Sequence, residues 1–350
     1  MLRKLCVVEH QWLTADEFEH AIATTGMLPG PASTQLAIYC AWRLRGWRGA
    51  LLGGVCFIVP GLIMIVALSA LFLENHPSKY LLGAALGSGA VVPAIALTTA
   101  LQMLPGSFKS VRATRGPLAR WALYLSAGVA TSIIAAQFVV LTLVACGLIE
   151  IVSRRPARPA SLAGGLLGTA HAVTLGGLGA LAWVAFKVGA LSYGGGFVII
   201  PLMQHDVVSV YHWMTGVQFL NVVALGQITP GPVVLTTAAV GYAVHGVVGS
   251  LVATLVAFGP SFLFILGGAR HFERLRHNAT AKAFLAGAAP SVIGAIAGSS
   301  LPLGLLLAHL WQLPLLAGAI LWLGWKKGST VYPLVAAALL GALAAVSLPV

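Results

Sequence analysis

Long apolar runs alternate with short polar stretches along almost the whole chain. The runs cover residues 21–41, 49–73, 80–104, 121–152, 162–203, 217–243, 247–269, 281–301, 303–325 and 331–350. A transmembrane helix needs about 20 apolar residues, so most runs are long enough for one crossing. The run at 121–152 is long for one crossing and short for two. The pattern predicts nine to eleven membrane segments, several of them broken by proline and glycine.

The composition excludes the main alternatives to a helical membrane protein. Of the 350 residues, 59% are hydrophobic and only 8% are Asp, Glu, Lys or Arg, against about 25% charged residues in soluble domains. So few charges cannot cover a soluble surface, and disordered chains are richer in charge. The strands of membrane barrels alternate polar and apolar residues, which these runs do not. We therefore predict an all-α polytopic membrane protein embedded in a lipid bilayer.

The basic residues indicate membrane topology rather than nucleic-acid binding. Lys and Arg number 20 against 8 acidic residues, and most of them lie in short clusters between apolar runs. Cytoplasmic loops of membrane proteins are enriched in Lys and Arg. We therefore expect no nucleic-acid partner.

The chain carries no visible signature of catalysis, metal binding or cofactor binding. Its four cysteines form no C-x-x-C pair, and no P-loop, zincin motif or catalytic triad pattern is present. The sequence therefore predicts neither an enzyme, nor a metal site, nor a cofactor. The first twenty residues contain no apolar signal region, so we expect membrane insertion to use internal helices.

The chain repeats itself at a fixed offset, which is its most informative property. A W-x-T-x-x-x-F motif begins at Trp12 and again at Trp213, 201 residues later. The same offset carries the first P-G-P motif onto the second, and an offset of 200 then carries Gly46, Gly49, Pro60 and Phe72 onto Gly246, Gly249, Pro260 and Phe272. We therefore predict two homologous halves, 1–152 and 166–350, joined by a basic, proline-rich linker at 153–165.

Equivalent loops of the two halves differ in charge. The loop at 43–48 carries three arginines, whereas its equivalent around His245 carries no Lys or Arg. The next loop, 74–79, is nearly neutral, whereas its equivalent at 270–282 carries four basic residues. Because basic loops are cytoplasmic, this exchange predicts inverted-topology repeats. Such repeats are typical of transporters with a midplane site and alternating access, in which one repeat rocks against the other.

The paired P-G-P motifs are the first candidate site. Proline removes a backbone donor and glycine permits unwinding. Freed backbone groups are tolerated in a membrane where they line a cavity or meet a ligand. Two equivalent breaks therefore predict substrate binding by half-helix N-termini, and simple kinking is the alternative. The candidate residues, with the glutamines beside them, are Pro29, Gly30, Pro31, Gln35, Gln227, Pro230, Gly231 and Pro232.

A glycine run and a lysine form the second candidate site. The run comprises Ser192, Tyr193, Gly194, Gly195 and Gly196. Its backbone N–H groups suit an oxyanion, with close helix packing as the alternative. Lys187 stands inside the same apolar run, where lysine is costly and usually functional, unless it snorkels to the interface. A cation there would attract an anionic substrate, while no buried carboxylate stands out as a proton carrier.

These motifs resemble those of the chromate transporter family. The likeness rests on F-K-x-G-x-x-S-Y-G-G-G at 186–196, on Pro201-Leu202 and Trp213, and on both P-G-P segments, and it runs through nearly the whole chain. It implies a bacterial inner-membrane protein that exports chromate from the cytoplasm, driven by the membrane ion gradient. Chromate is a tetrahedral oxyanion similar to sulfate, so the residues leave the choice of anion open. The residues also leave open whether two copies of the chain form a homodimer.

The start of the first half departs from the family pattern. The resemblance implies that each half opens with a helix ending in F-G-G-P or F-G-G-G, and an offset of 201 places the first of these before residue 1. We expect Met1 to be an internal methionine of a longer reading frame, a truncated repeat being the alternative. A truncated, non-transporting paralogue and an exporter of another small substrate, such as an amino acid, are the alternative functions.

Overall fold

The protein is almost entirely helical. The computed structural model describes residues 2–26, 28–73, 78–113, 117–154, 177–192, 199–268, 278–325 and 330–347, and these ranges contain helices and no strand. Five of the described helices are long and apolar enough to cross a membrane, and six shorter apolar helices accompany them. This confirms an all-α polytopic membrane protein.

The two halves contribute helices in the same order. The first half provides α1 (Ala15–Thr25), α2 (Ala32–Phe72), α3 (Lys79–Ala113), α4 (Leu118–Ile134) and α5 (Val139–Arg154). The second provides α6 (Leu178–Leu191), α7 (Ile199–Gln204), α8 (Gly216–Ile228), α9 (Thr236–Gly268), α10 (Ala279–Leu305), α11 (Gln312–Trp325) and α12 (Val331–Ser347). The ambiguous run at 121–152 therefore forms two helices, joined by the short 3-10 turn Ala136–Phe138.

The repeat predicted from the sequence is present in the backbone. Thr14 and Thr215 each begin a helix with a capping box. The non-glycine residues Gln11 and His212, 201 positions apart, have positive φ angles of 49° and 52°. Such agreement between uncommon conformations confirms two homologous repeats. The domain limits at 152 and 166 stay a prediction, because residues 155–176 lie outside the described ranges.

Gly46 folds α2 back on itself. Its φ of 60° and ψ of −146° divide α2 into a short arm, residues 32–44, and a long arm, residues 47–72. A Cβ built at Gly54 would lie 2.8 Å from Cγ1 of Ile38, so the two arms pack side by side. α9 folds in the same way at Gly246, where φ is 58° and ψ is −145°.

The lengths of these arms place the first P-G-P break inside the membrane. At 1.5 Å per residue the short arm covers about 20 Å and the long arm about 39 Å, whereas the hydrocarbon core is about 30 Å thick. The long arm therefore crosses the membrane. The short arm runs back along it from the turn at one surface and ends at Pro31 within the hydrocarbon.

The halves interlock instead of packing as separate units. Helices α4 and α5 of the first half lie against α10 of the second, and α11 and α12 of the second half lie against α3 of the first. Glycines bring these helices into backbone contact: a Cβ at Gly128 would collide with the Ser291 carbonyl, and one at Gly83 with the Gly341 carbonyl. We name the resulting unit of α3, α4, α5, α10, α11 and α12 the long-helix bundle.

The remaining long elements form a second unit. Helix α9 packs against α2, α6 and α8, and α1 packs against α2. We name α1, α2, α6, α8 and α9 the hairpin bundle. The two bundles meet mainly where α8 lies against α3, and α7 contacts helices of both. Each bundle thus contains helices from both halves of the sequence.

Candidate functional site

The first P-G-P break lies at the C-terminal end of α6. Gly30 is buried and has a φ of 125°, and its N–H donates to the carbonyl of Ser192 at 2.6 Å. The amide Nε2 of Gln35 donates to the carbonyl of Pro29 at 2.7 Å. The structure therefore brings Ser192 of the second half beside three candidate residues of the first half, Pro29, Gly30 and Gln35.

Three polar atoms around Gly30 are buried without a hydrogen-bond partner among the described residues. They are Oε1 of Gln35, Oγ of Ser192 and Oγ of Ser261, on side chains that are fully buried. A Cβ built at Gly30 would lie 3.1 Å from the Ser261 hydroxyl. Leaving such a group unpaired costs about 1–3 kcal/mol, so three together favour a polar ligand at this place.

The short arm of α2 adds backbone donors to this cluster. It begins after Pro31, whose side chain supplies no cap for the first N–H groups. A helix N-terminus carries a partial positive charge and attracts anions. With the hydroxyls of Ser192 and Ser261 as further donors, the first break suits an oxyanion.

The second P-G-P break is built differently. Gly231 is exposed, whereas Gly30 is buried, and the flanking prolines do not differ between the two breaks. Nearby hydroxyls bond internally: Thr236 donates to the carbonyl of Val233 at 2.6 Å. Among its candidate residues, Gln227 alone has a buried polar atom, Nε2, without a partner in the described part of the chain. The polar cluster therefore belongs to the first break.

The rest of the glycine run cannot be placed. Ser192 is the C-cap of α6, but Tyr193, Gly194, Gly195 and Gly196 lie outside the described residues. Their role in oxyanion binding stays a prediction.

Lys187 is not the isolated cation that the sequence predicted. Its Nζ lies 2.6 Å from Oδ2 of Asp206, and the two side chains are 20% and 7% exposed. The ammonium also lies 5.7 Å from the ring centre of Trp183. The structure therefore places beside the lysine a buried carboxylate that did not stand out in the sequence, and Lys187 points to this partner instead of snorkelling.

The ion pair lies near the middle of the membrane. α6 begins after Gly177. This glycine lies beside the turn of α9 at Gly246, because a Cβ built at Gly177 would lie 3.1 Å from Nε2 of His245. Lys187 is ten residues further along, or about 15 Å, which is half of the roughly 30 Å hydrocarbon core. This depth is where transporters with repeats hold their substrates.

A cavity of about 580 Å³ separates the two bundles beside the first break. The hairpin bundle contributes Leu28, Pro29, Ala190 and Leu191 to its wall, α5 and α10 contribute apolar side chains, and α7 contributes Ile199 and Leu202. Residues three or four apart on a helix are neighbours on one face. Lys187 therefore lies one turn before the α6 wall residues, and Asp206 one turn after Leu202, which places the ion pair about one helical turn from the cavity wall.

Comparison with known proteins identifies the family of the chain. The profile of the family described as Chromate transporter matches residues 1–151 and 179–343. The chain belongs to the chromate transporter family. The Chromate transport protein of Cupriavidus metallidurans is 31% identical over 303 residues, which cover 83% of this chain and 73% of that protein.

Further relatives cover similar lengths. The Probable chromate transport protein of Synechococcus elongatus is 29% identical over 92% of this chain and 83% of its own length. The Chromate transport protein of Pseudomonas aeruginosa is 29% identical over 87% of this chain and 75% of its own length. No solved structure matches the chain.

This chromate transporter family member carries a buried cluster of charges at the end of α5. Glu150 is 4% exposed. It accepts a hydrogen bond from Nε of Arg154 at 2.7 Å and from the Tyr124 hydroxyl at 3.1 Å, and Nε of Arg120 lies 3.7 Å away. Two arginines against one carboxylate leave a net positive charge. Since Ile151 on the next position lines the cavity, this charge stands at one end of the cavity.

Sequence reasoning missed Asp206 and Ser261. Asp206 corresponds to Leu5 in the first half, and Ser261 corresponds to Gly61. Neither residue is therefore shared between the halves, and the comparison of the repeats did not single them out. Asp206 also stands in a short H-D-V-V stretch without acidic neighbours. An intramembrane lysine, which needs a counter-charge, was the one signal that could have led to Asp206.

We predict that Gly30→Ala destabilises the protein. A Cβ at a φ of 125° is strained and would meet the Gln35 amide and the Ser261 hydroxyl, at a cost of about 1–3 kcal/mol. Gly259→Ala is the matched control, because a Cβ there meets nothing within 4 Å inside α9. Thermal unfolding of the purified variants checks this. Equal melting temperatures would show that the break does not need its glycine.

Proposed function

We propose that the protein exports chromate from the cytoplasm across the bacterial inner membrane by alternating access. The observation that carries the proposal is the first break, in a chain of the chromate transporter family: two buried hydroxyls without a partner among the described residues, Ser192 and Ser261, lie beside a half-helix N-terminus. Similar proteins from Cupriavidus metallidurans and Pseudomonas aeruginosa are named chromate transport proteins.

The site offers donors of the kind that a tetrahedral oxyanion accepts. The hydroxyls of Ser192 and Ser261 and the N–H groups of the short arm can each donate to one oxygen. Lys187 supplies a positive charge from α6, five residues before Ser192. Neutral donors with a single cation hold a dianion more loosely than a cluster of arginines would. Loose binding suits a carrier, which must release its substrate.

Export is supported by the charge of the substrate. Moving one charge across a membrane is worth about 2.3 kcal/mol per 100 mV. A dianion leaving a cell with a negative interior therefore gains about 4.6 kcal/mol per 100 mV. The positive charge near Glu150 belongs to helix ends that adjoin two basic segments of the sequence, the one that starts at Lys109 and the linker at 153–165. Because cytoplasmic loops are enriched in Lys and Arg, this charge would lie on the cytoplasmic side. It would attract the anion to the cavity from that side.

Alternating access in this proposal is a movement of the hairpin bundle against the long-helix bundle. Rocking one repeat against the other, as the sequence suggests, would pull α4 from α10 and α3 from α12, where backbones touch at glycines such as Gly128 and Gly83. The cavity lies between the bundles instead. Movement there opens the first break without separating interlocked helices.

Sulfate transport is the second candidate function. Hydroxyl and N–H donors around Gly30 recognise a tetrahedral dianion by shape and charge, and nothing in the described cluster reads the central atom. A competition measurement with sulfate therefore belongs to the test of the proposal.

The test follows chromate in inside-out membrane vesicles from a bacterial host that carries the gene. Vesicles with the protein should accumulate labelled chromate when a potential, positive inside the vesicle, is imposed, and sulfate should compete. Vesicles from the empty host are the control. Accumulation equal to that control would contradict the proposal and favour a non-transporting paralogue. Accumulation of sulfate alone would favour the second candidate.

A further inference from the structure

We propose that binding of the oxyanion at Lys187 is coupled to the uptake of one proton by Asp206. This inference rests on the proposed function and names the ion that accompanies the substrate. It assigns Asp206 as a positioning residue that acts through Lys187, because the substrate itself would contact the ammonium and not the carboxylate.

The geometry of the pair shows how closely the two charges depend on each other. Nζ of Lys187 lies 2.6 Å from Oδ2 of Asp206. That oxygen is buried and has no hydrogen-bond donor in good geometry among the described residues. The carboxylate therefore depends on the charge of Lys187 for its stability inside the membrane.

An oxyanion competes with Asp206 for the same ammonium. Its negative charge would draw Nζ toward the cavity, which begins one turn away at Ala190 and Leu191. Asp206, with a side chain only 7% exposed, would then be a buried carboxylate without a counter-charge, which costs several kcal/mol. Binding one proton removes this cost.

The proton balance of this step is simple. The proton comes from water, the carboxylate of Asp206 becomes a carboxylic acid, and Lys187 keeps its three ammonium protons throughout. The local charge is zero before binding. With the dianion and the proton both bound, the local charge is −1. Without the proton it would be −2.

The surroundings of Asp206 contain few other groups that could take the proton. Asp206 stands on the short π-helix His205–Val210, which His205 begins and Tyr211 caps, and the phenol of Tyr211 is within electrostatic reach of Asp206. Of the elements packed against this one, α6 contributes Lys187, α8 contains no titratable residue, and the 3-10 turn Ala136–Phe138 contains none. On α5 and α10 the charged groups are Glu150, Arg154 and Lys282, each at the helix end remote from Asp206.

The coupling halves the electrical driving force for export. Chromate and one proton together move a single net negative charge, so the potential still favours exit by about 2.3 kcal/mol per 100 mV. The pH difference across the membrane then also enters the driving force. A carrier of this kind binds its substrate more tightly as the pH on the binding side falls.

Calorimetry on the purified full chain in lipid nanodiscs tests the coupling. Sulfate and chromate are titrated at one pH in two buffers that differ in their heat of ionisation, since the difference in measured heat counts the protons taken up. Sulfate is the decisive probe because it has no proton of its own to exchange near neutral pH. We expect about one proton per anion, and an affinity that falls about tenfold per pH unit as Asp206 loses its proton.

Asp206→Asn is the matched variant. It keeps the shape of the side chain and removes the competing charge, so it should bind sulfate at least as tightly as the unchanged protein, with no proton uptake and no pH dependence. His205→Gln is the control on the same element and should leave the proton count unchanged.

Several outcomes would overturn the inference. An anion that binds the unchanged protein without proton uptake contradicts it, and so does proton uptake that survives in Asp206→Asn. In both cases the proposed function would stand, because chromate accumulation in vesicles is measured separately. Failure of both anions to bind the unchanged protein would instead contradict the proposed function together with the coupling.

Discussion

Replacing Lys187 by Gln should lower the free energy of unfolding by about 3–5 kcal/mol, because removing one partner of a buried ion pair leaves the other charge uncompensated. Asp206 would be that charge, with its side chain only 7% exposed. Asp206→Asn should cost less. The Lys187 side chain is 20% exposed, and its long stem lets the ammonium reach water.

The double variant separates the role in stability from the role in transport. Lys187→Gln with Asp206→Asn removes both charges, so most of the lost stability should return, as it does when buried ion pairs are neutralised together. Chromate accumulation in vesicles should stay at the level of the empty host. A double variant that transports normally would show that the pair serves the fold alone.

An exposed ion pair provides the control for this experiment. Nη2 of Arg43 lies 2.7 Å from Oε1 of Glu17, the same short distance, but both side chains are more than 40% exposed. Such pairs contribute about 0–1 kcal/mol. Arg43→Gln should therefore leave unfolding, measured in the same detergent, close to that of the unchanged protein. A loss as large as that of Lys187→Gln would mean that burial is not the cause.

A disulfide between the two bundles should abolish transport. A Cβ at Gly89 on α3 would lie 2.9 Å from the side chain of Asn221 on α8, so Gly89→Cys with Asn221→Cys places two thiols across the contact between the bundles. The four native cysteines are first replaced by alanine. Oxidation should bring chromate accumulation down to the empty-host level, and reduction should restore it, because the bundles must move for the site to change sides.

A second disulfide tests whether cross-linking alone does harm. The hydroxyls of Thr131 and Thr142 lie 3.1 Å apart on α4 and α5, both in the long-helix bundle. Thr131→Cys with Thr142→Cys should close under oxidation and leave transport intact. If the bridge between the bundles also left transport intact, the bundles would not be the moving units.

The sequence predicted what depends on composition and on the repeat. Hydropathy predicted the helical membrane class, because a span must be apolar over its whole length. The offset between the two P-G-P motifs predicted the breaks, because a proline and a glycine act on the backbone wherever they stand. Lys187 was recognised as a candidate since an intramembrane charge is rare enough to be conspicuous.

What the sequence could not predict depends on contacts between distant segments. Hydropathy shows that α4 and α10 are spans, but not that they pack together, and so the interlocking of the halves was invisible. Ser261 is one of many hydroxyls in apolar helices, and its place beside Gly30 comes from the packing of α9 on α2. The two breaks look alike as P-G-P motifs, and their different polarity comes from side chains contributed by other helices.

The interlocking of the halves also bears on how such a chain could have arisen. Within the long-helix bundle each repeat is covered by the other: α4 and α5 pack against α10, and α12 packs against α3. An ancestor with one repeat would have been stable only as a pair of chains that exchanged these helices. Fusion of two copies into one chain would fix their ratio at one to one. It would also release them from identity, so that one break could acquire Gln35 and Ser261 as neighbours while the other kept an apolar setting around Gly61 and Leu235.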